Sequence, residues 1–135
     1  MSSSKTETIR AANVALIQDG DLDAIADFFA PDYTAHLTDG ETKGGHALIR
    51  RFLGMLQQAF PRVEIDVEIL VEDGDRIAWQ RTMHAVQEGP FHGFPASLRE
   101  IIWRDMVTSR FQGDLIAEEW LVTDLAERLL LARKS

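Results

Sequence analysis

RFQGDLIAEEWLVTD, Arg110 to Asp124, is the stretch that decides how this chain folds. Two runs of β-type residues, Ile101 to Phe111 and Leu115 to Val122, flank Gln112-Gly113-Asp114, a short polar loop with the glycine that a tight hairpin needs. The reading is a C-terminal hairpin. On its second strand Trp120, Val122 and Asp124 share one face by the period of two, which aims an aromatic ring and a carboxylate the same way. Such a pairing can line a pocket.

Working outward, the Pro90 to Pro95 segment reads as a loop, and Arg76 to Val86 as a strand with Ile77, Trp79, Arg81 and Met83 on one side. Ala78, Gln80, Thr82 and His84 fall on the other. Asp73-Gly74 makes the turn into it from a further strand, in which Val63, Ile65, Val67, Ile69 and Val71 alternate with Glu64, Asp66, Glu68 and Leu70. Before Pro61 the period changes to that of a helix. Leu48, Ile49, Phe52, Leu53, Leu56 and Phe60 form one apolar stripe, and Pro61 ends it. An irregular segment, Asp32 to Gly45, precedes this helix. A short helix from Asp21 stopped by Pro31, and a first helix carrying Ile9, Ala12, Asn13, Leu16 and Ile17 with Gly20 as its C-cap, complete the reading. Helices followed by strands predict an α+β domain, with about four long strands in a curved antiparallel sheet wrapped around the N-terminal helices.

The 135 residues, 45% of them hydrophobic, suffice for one core, so the expectation is a single domain over 1–135. The formal net charge of −8, with basic residues scattered, argues against a nucleic-acid partner. Absence of cysteine removes disulfides, thiolate nucleophiles and cysteine zinc sites, and fits a reducing compartment. No apolar run approaches the roughly 18 residues that cross a bilayer, and the N-terminus shows no apolar signal region. The expectation is therefore a cytoplasmic protein with no membrane partner. His46, His84 and His92 follow no metal-ligand spacing, and Gly44-Gly45 belongs to no phosphate-binding pattern, so no metal site is expected.

Five segments in order carry a resemblance: GDLDAI at 20–25, APDYTAH at 30–36, the helix end AFP at 59–61, GFPASLR at 93–99 and RFQGDLIAEEWLVTD at 110–124. Together they resemble the SnoaL-like polyketide cyclase and ester cyclase branch of the nuclear-transport-factor-2-like (NTF2-like) superfamily, over essentially the whole chain. The resemblance implies a cone-shaped barrel around the third helix, an apolar pocket at one end, and homodimers formed through the sheet. It also implies intramolecular aldol closure of a polyketide ester by a carboxylate at the end of the last strand, with no cofactor. The positions carried over are His36, in a Y-x-x-H pattern, Trp120, and Asp124 in a W-x-x-x-D pattern. Gln87, Ser97-Leu98-Arg99 and Leu129 to Arg133 depart from the family at the pocket's mouth and rim, so no substrate is carried over.

The chemistry expected is proton transfer on a small apolar carbonyl compound: a base raised towards neutrality by an apolar pocket, and a donor for the enolate. Asp124 and His36 are the candidate catalytic residues. Tyr33, Trp103, Met106, Trp120, Phe91 and Phe52 are the candidate pocket residues. Other roles stay open: Asp124 also stands where it would cap a C-terminal helical turn, and Arg81 must either reach a carboxylate such as Asp105, Glu118 or Asp66 or face solvent on the dimer side. A non-catalytic small-ligand binder, and an epoxide hydrolase using Arg81, Asp105 and Asp124, are the alternative functions.

Overall fold

The computed structural model describes residues 4–38 and 40–134. Helix α1, Ser4–Asn13, runs directly into a π-helical turn, Val14–Gln18. A 3₁₀ turn, Leu22–Ala24, and a single-turn α2, Ile25–Phe28, lead to strands β1, Phe29–Leu37, and β2, Gly40–Lys43. Helix α3, Gly45–Ala59, is followed by β3, Val63–Asp73, β4, Arg76–Val86, β5, Glu100–Gln112, β6, Leu115–Thr123, and α4, Leu125–Lys134.

The strands form one sheet in the order β2-β1-β6-β5-β4-β3. All neighbours are antiparallel except β1 and β6, which run parallel. The expected four strands are therefore six, because the segment read as irregular supplies β1 and β2. Its sequence hides them: Pro31 lacks a ladder donor and would argue against a strand. Pro31 is tolerated because the β1–β6 register is interrupted between Phe29 and Thr34, where no partner asks for its N–H. The sheet does not close, and β2 and β3 remain its edges.

Local register shifts between Ile69 and Val71 and between Arg110 and Phe111 mark bulges, which bend a strand and raise its twist. Into the hollow pack α1, α3 and the turns between them. Ile49, Leu53, Leu56 and Ala59 form the buried stripe of α3, as the 3.6 period predicts. Phe60 at its end lies 4.7 Å from Trp103 on β5, ring centre to ring centre. Full burial of a side chain such as Ile49, Leu53, Leu56 or Phe60 contributes roughly 1.5–3 kcal/mol by leaving water. Gly45 opens α3 at φ +55, and a Cβ there would stand 2.3 Å from the Pro31 carbonyl oxygen. Only glycine lets the helix start this close to β1.

Candidate active site

Period-two alternation along β5 sends Ile101, Trp103, Asp105, Val107, Ser109 and Phe111 to the hollow face. On β6 a bulge decides the parity. Phe111 pairs with Ile116 but Arg110 with Glu118, so Ala117 is the extra residue, and from there onward Glu119, Leu121 and Thr123 face inward opposite Ser109, Val107 and Asp105. Glu118 and Glu119 thus split between the two faces.

Of the inward residues, Glu119, Leu121 and Thr123 border a cavity of about 330 Å³ with largely apolar walls, including Ile9, Leu16, Ile49, Leu53 and Ile116. A chain of hydrogen bonds crosses one wall. Tyr33 on β1 donates its hydroxyl to Glu119 Oε1 at 2.8 Å, Ser109 donates to Glu119 Oε2 at 2.5 Å, and Trp79 Nε1 donates to Ser109 Oγ at 2.9 Å. Burial raises the Glu119 pKa, and the hydrogen bonds from Ser109 and Tyr33 and the charge of Arg81 offset this only in part. Tyr33 is held well above the ordinary phenol value, first by burial and then by the Glu119 charge and hydrogen bond, so it keeps its proton and acts as a donor.

Arg81 on β4 holds the next group. Its Nε donates to Asp105 Oδ2 at 2.8 Å and its Nη1 to Asn13 Oδ1 at 2.8 Å, while the guanidinium lies 5.3 Å from the centre of the Trp79 ring. Of the partners considered for Arg81, Asp105 is the one present. Asn13 is the last residue of α1, and its Nδ2 donates to the Ile9 carbonyl one turn back at 2.8 Å. The π-helical turn begins at the next residue. Side-chain bonding to a backbone carbonyl loosens the α ladder at such points.

A second lobe of about 190 Å³ adjoins the first, and Phe52, Arg81, His92, Leu121 and Thr123 border both. Its walls are Leu56, Met83, Phe91, Phe94, Trp103, Leu125 and Leu129, with Asp105 among them. The loop that closes it is pinned by Gln87, a buried side chain whose Oε1 accepts from Ser97 N–H at 3.1 Å and whose Nε2 donates to the Gly89 carbonyl at 3.1 Å. The loop carries His92 at φ +47, an uncommon conformation for a non-glycine residue.

Tyr33, Phe52, Phe91 and Trp103 accordingly border the two lobes, and Met106, Trp120, His36 and Asp124 do not. His36 and Trp120 pair across β1 and β6 on the outer face, their rings stacked at 4.8 Å. His36 Nε2 lies 2.5 Å from Glu118 Oε2, and Arg110 Nε donates to Glu118 Oε1 at 2.8 Å. Hydrogen bonds from His36 and then Arg110 lower the Glu118 pKa. Arg76 completes the outer cluster, 5.0 Å from the centre of the Trp120 ring. Asp124 stands at the start of α4, but its Oδ1 accepts from the Arg104 backbone N–H at 2.8 Å and its Oδ2 from Arg128 Nε at 3.2 Å. It joins neither His36 nor the Arg81–Asp105 pair. Met106 shares the outer face because it is three residues from Trp103 and so of opposite parity.

Sequence reasoning missed Glu119, Asn13 and His92 as cavity groups, and Ser109 as the buried donor to Glu119. The signal for Glu119 was the parity of its neighbour: once Trp120 faces out, Glu119 faces in. Among the described residues no group of three or more His, Asp or Glu could hold a metal ion. No helix there is long and apolar enough to cross a membrane.

The model of the SnoaL-like polyketide cyclase family matches residues 7–130. Among solved structures, a presumed polyketide cyclase from Acidithiobacillus ferrooxidans is similar with a TM-score of 0.88 and 22% identity, over 99% of this chain and 97% of that one. A presumed SnoaL-like polyketide cyclase from Jannaschia sp. CCS1 is similar at TM-score 0.80 and 26% identity, over 92% and 88%. AclR from Streptomyces galilaeus, a presumed hydroxylase, has TM-score 0.80 and 24% identity, over 99% and 84%. No curated protein matches in sequence.

Proposed function

The chain belongs to the SnoaL-like polyketide cyclase family, and we propose that it is an acid/base enzyme acting, without a cofactor, on a small apolar carbonyl compound, with Glu119 moving the proton. The observation that carries this is a buried carboxyl group on the wall of an apolar cavity, with its pKa raised by that burial. A base shifted towards neutrality is matched to removing a proton from the carbon beside a carbonyl. This reading moves the acid/base role from Asp124 and His36, whose side chains are engaged elsewhere, to Glu119.

In the first step Glu119, as carboxylate, takes the α-proton; the C–H electron pair becomes part of a C=C bond and the carbonyl oxygen becomes an enolate. Arg81 lowers the cost of that negative charge, and the hydroxyls of Tyr33 and Ser109 hold the carboxyl group in place. For cyclisation the enolate carbon attacks a second carbonyl carbon of the same molecule, and Glu119 returns its proton to the new alkoxide. For isomerisation the proton returns to another carbon. The part-exposed Phe52 borders both lobes.

The experiment is deuterium exchange of the α-protons of 2-tetralone in D₂O, followed by NMR. The wild type is expected to accelerate exchange and Glu119→Gln to return it to the buffer rate. A wild type that binds the ketone without accelerating exchange would make the protein a ligand binder.

The outer sheet face supports a second copy of the chain as partner. Ile102, Met106 and Val122 are exposed there, beside Arg104 on β5, and the β3 edge presents Glu64, Asp66 and Glu68. A two-fold arrangement sets the acidic edge of one copy against Arg104 of the other. Light scattering should find a dimer, and Met106→Glu a monomer.

A further inference from the structure

Phe52, Arg81, His92, Leu121 and Thr123 border both lobes, and of the polar side chains among them His92 and Thr123 are exposed while Arg81 is set inside. A guanidinium carries N–H donors on each of its nitrogens. In Arg81, Nε bonds to Asp105 and Nη1 to Asn13, and Nη2 makes no hydrogen bond among the described residues. Nη2 is not sealed in. Among the described residues the buried side-chain polar atom that is both closed off and without a partner is Asp105 Oδ1, and the Arg81 side chain keeps 12% of its surface open. The other walls of both lobes are mainly rings and aliphatic chains. A cationic donor with no acceptor therefore stands where two apolar spaces share a border.

We propose that the two lobes hold one ligand, a neutral ketone with an apolar group on each side of its carbonyl, whose oxygen accepts from Arg81 Nη2. Volume sets the groups. An apolar cavity of about 150 Å³ holds benzene, so the 190 Å³ lobe takes one six-membered ring and the 330 Å³ lobe takes the larger group. Charge excludes an acid: Asp105 already balances Arg81, so a carboxylate would leave an unbalanced charge in an apolar site, whereas a carbonyl oxygen brings only the missing acceptor. A methyl ketone or an aldehyde would leave one lobe unfilled. Glu119 borders the larger lobe and not the smaller one, so the α-carbon offered to it is the one on that side of the carbonyl. This deepens the proposed function and rests on the cavity being a ligand site, but not on Glu119 transferring a proton.

Equilibrium dialysis with 1,2-diphenylethanone, 1,2-diphenylethane and acetophenone tests it. The first carries a ketone between two rings, the second lacks the oxygen and the third lacks the second ring. The wild type should bind 1,2-diphenylethanone more tightly than 1,2-diphenylethane, and about tenfold or more tightly than acetophenone through burial of the second ring. Arg81→Met/Asp105→Leu replaces the ion pair with apolar side chains, an exchange that folded proteins often tolerate. In it the ratio of ketone to hydrocarbon affinity should fall about tenfold or more, the contribution of one hydrogen bond to a charged group. Equal wild-type affinity for 1,2-diphenylethanone and acetophenone would overturn the two-lobe seating. Equal wild-type affinity for the ketone and the hydrocarbon, or an unchanged ratio in the double variant, would overturn the role of Arg81. These failures leave 2-tetralone exchange, and with it the proposed function, standing. Binding of none of the three compounds would overturn the assignment, and the proposed function as well if 2-tetralone exchange is also unaccelerated. The wild-type series decides the matter even if the double variant does not fold.

Discussion

Glu118 and Glu119 are consecutive carboxylates on one strand, and the sheet places them in opposite environments. Glu118 faces outward between His36 and Arg110, which donate to it and lower its pKa. Glu119 faces the hollow, where burial outweighs two hydroxyl donors and a nearby guanidinium and raises its pKa. The inner face holds a carboxyl group poised to exchange a proton, and the outer face one committed to its charge. The difference comes from one backbone feature, the bulge at Ala117 that sets which of the two turns inward.

The largest expected effect separates the two by activity. Glu119→Gln should lower the exchange rate by about 10²–10⁴-fold, the usual range for loss of a general base, while Glu118→Gln changes it less than about twofold. Equal losses in the two variants would mean that the faces do not divide the work as described.

The pH dependence of stability sharpens the same comparison. Glu119 holds its proton more firmly folded than unfolded, so its contribution is fully present in acid and declines as pH rises from the ordinary glutamate value through its raised one. Glu118 does the reverse: its contribution is present above the ordinary value and is lost as pH falls through its lowered one. Urea unfolding as a function of pH should therefore show Glu119→Gln steepening the rise in stability from acid to neutral pH, and Glu118→Gln flattening it. Of the two, the Glu118 effect should be smaller, because its network is partly exposed and screened.

Much of the architecture is legible from local pattern. The alternation of β3 and β4, the stripe of α3 and the hairpin at Gly113 follow from the period of apolar residues and from turn chemistry. β1 is not legible, because Pro31 breaks its pattern and its parallel partner β6 lies more than eighty residues away, as in the pairing of Thr34 with Glu118. The site is half legible. Trp103 and Met106 differ by an odd number and cannot both face one cavity, so the period of two by itself separates them. What the sequence does not contain is which face is inside: Ile102, Met106, Trp120 and Val122 make the outer face look as apolar as the inner one.

Within the inner face, Tyr33→Phe removes one of the two donors that restrain the Glu119 pKa. The acidic limb of the pH–rate profile should then move to higher pH, and stability should fall by about 1–3 kcal/mol as one Glu119 oxygen loses its buried partner. An unmoved limb would mean that the Tyr33 bond does not reach the reacting group.

The smallest effect belongs to the outer face. His36→Ala removes a ring stacked on Trp120 and a donor to Glu118. Stacking of this kind is worth about 0.5–1.5 kcal/mol and a part-exposed ion pair about 0–1 kcal/mol, so the melting temperature should fall by a few degrees. The rate of 2-tetralone exchange should not change, because His36 borders neither lobe. A His36→Ala variant with native melting behaviour and lost exchange would place proton transfer on the outer face, and the division between Glu118 and Glu119 would have to be reversed.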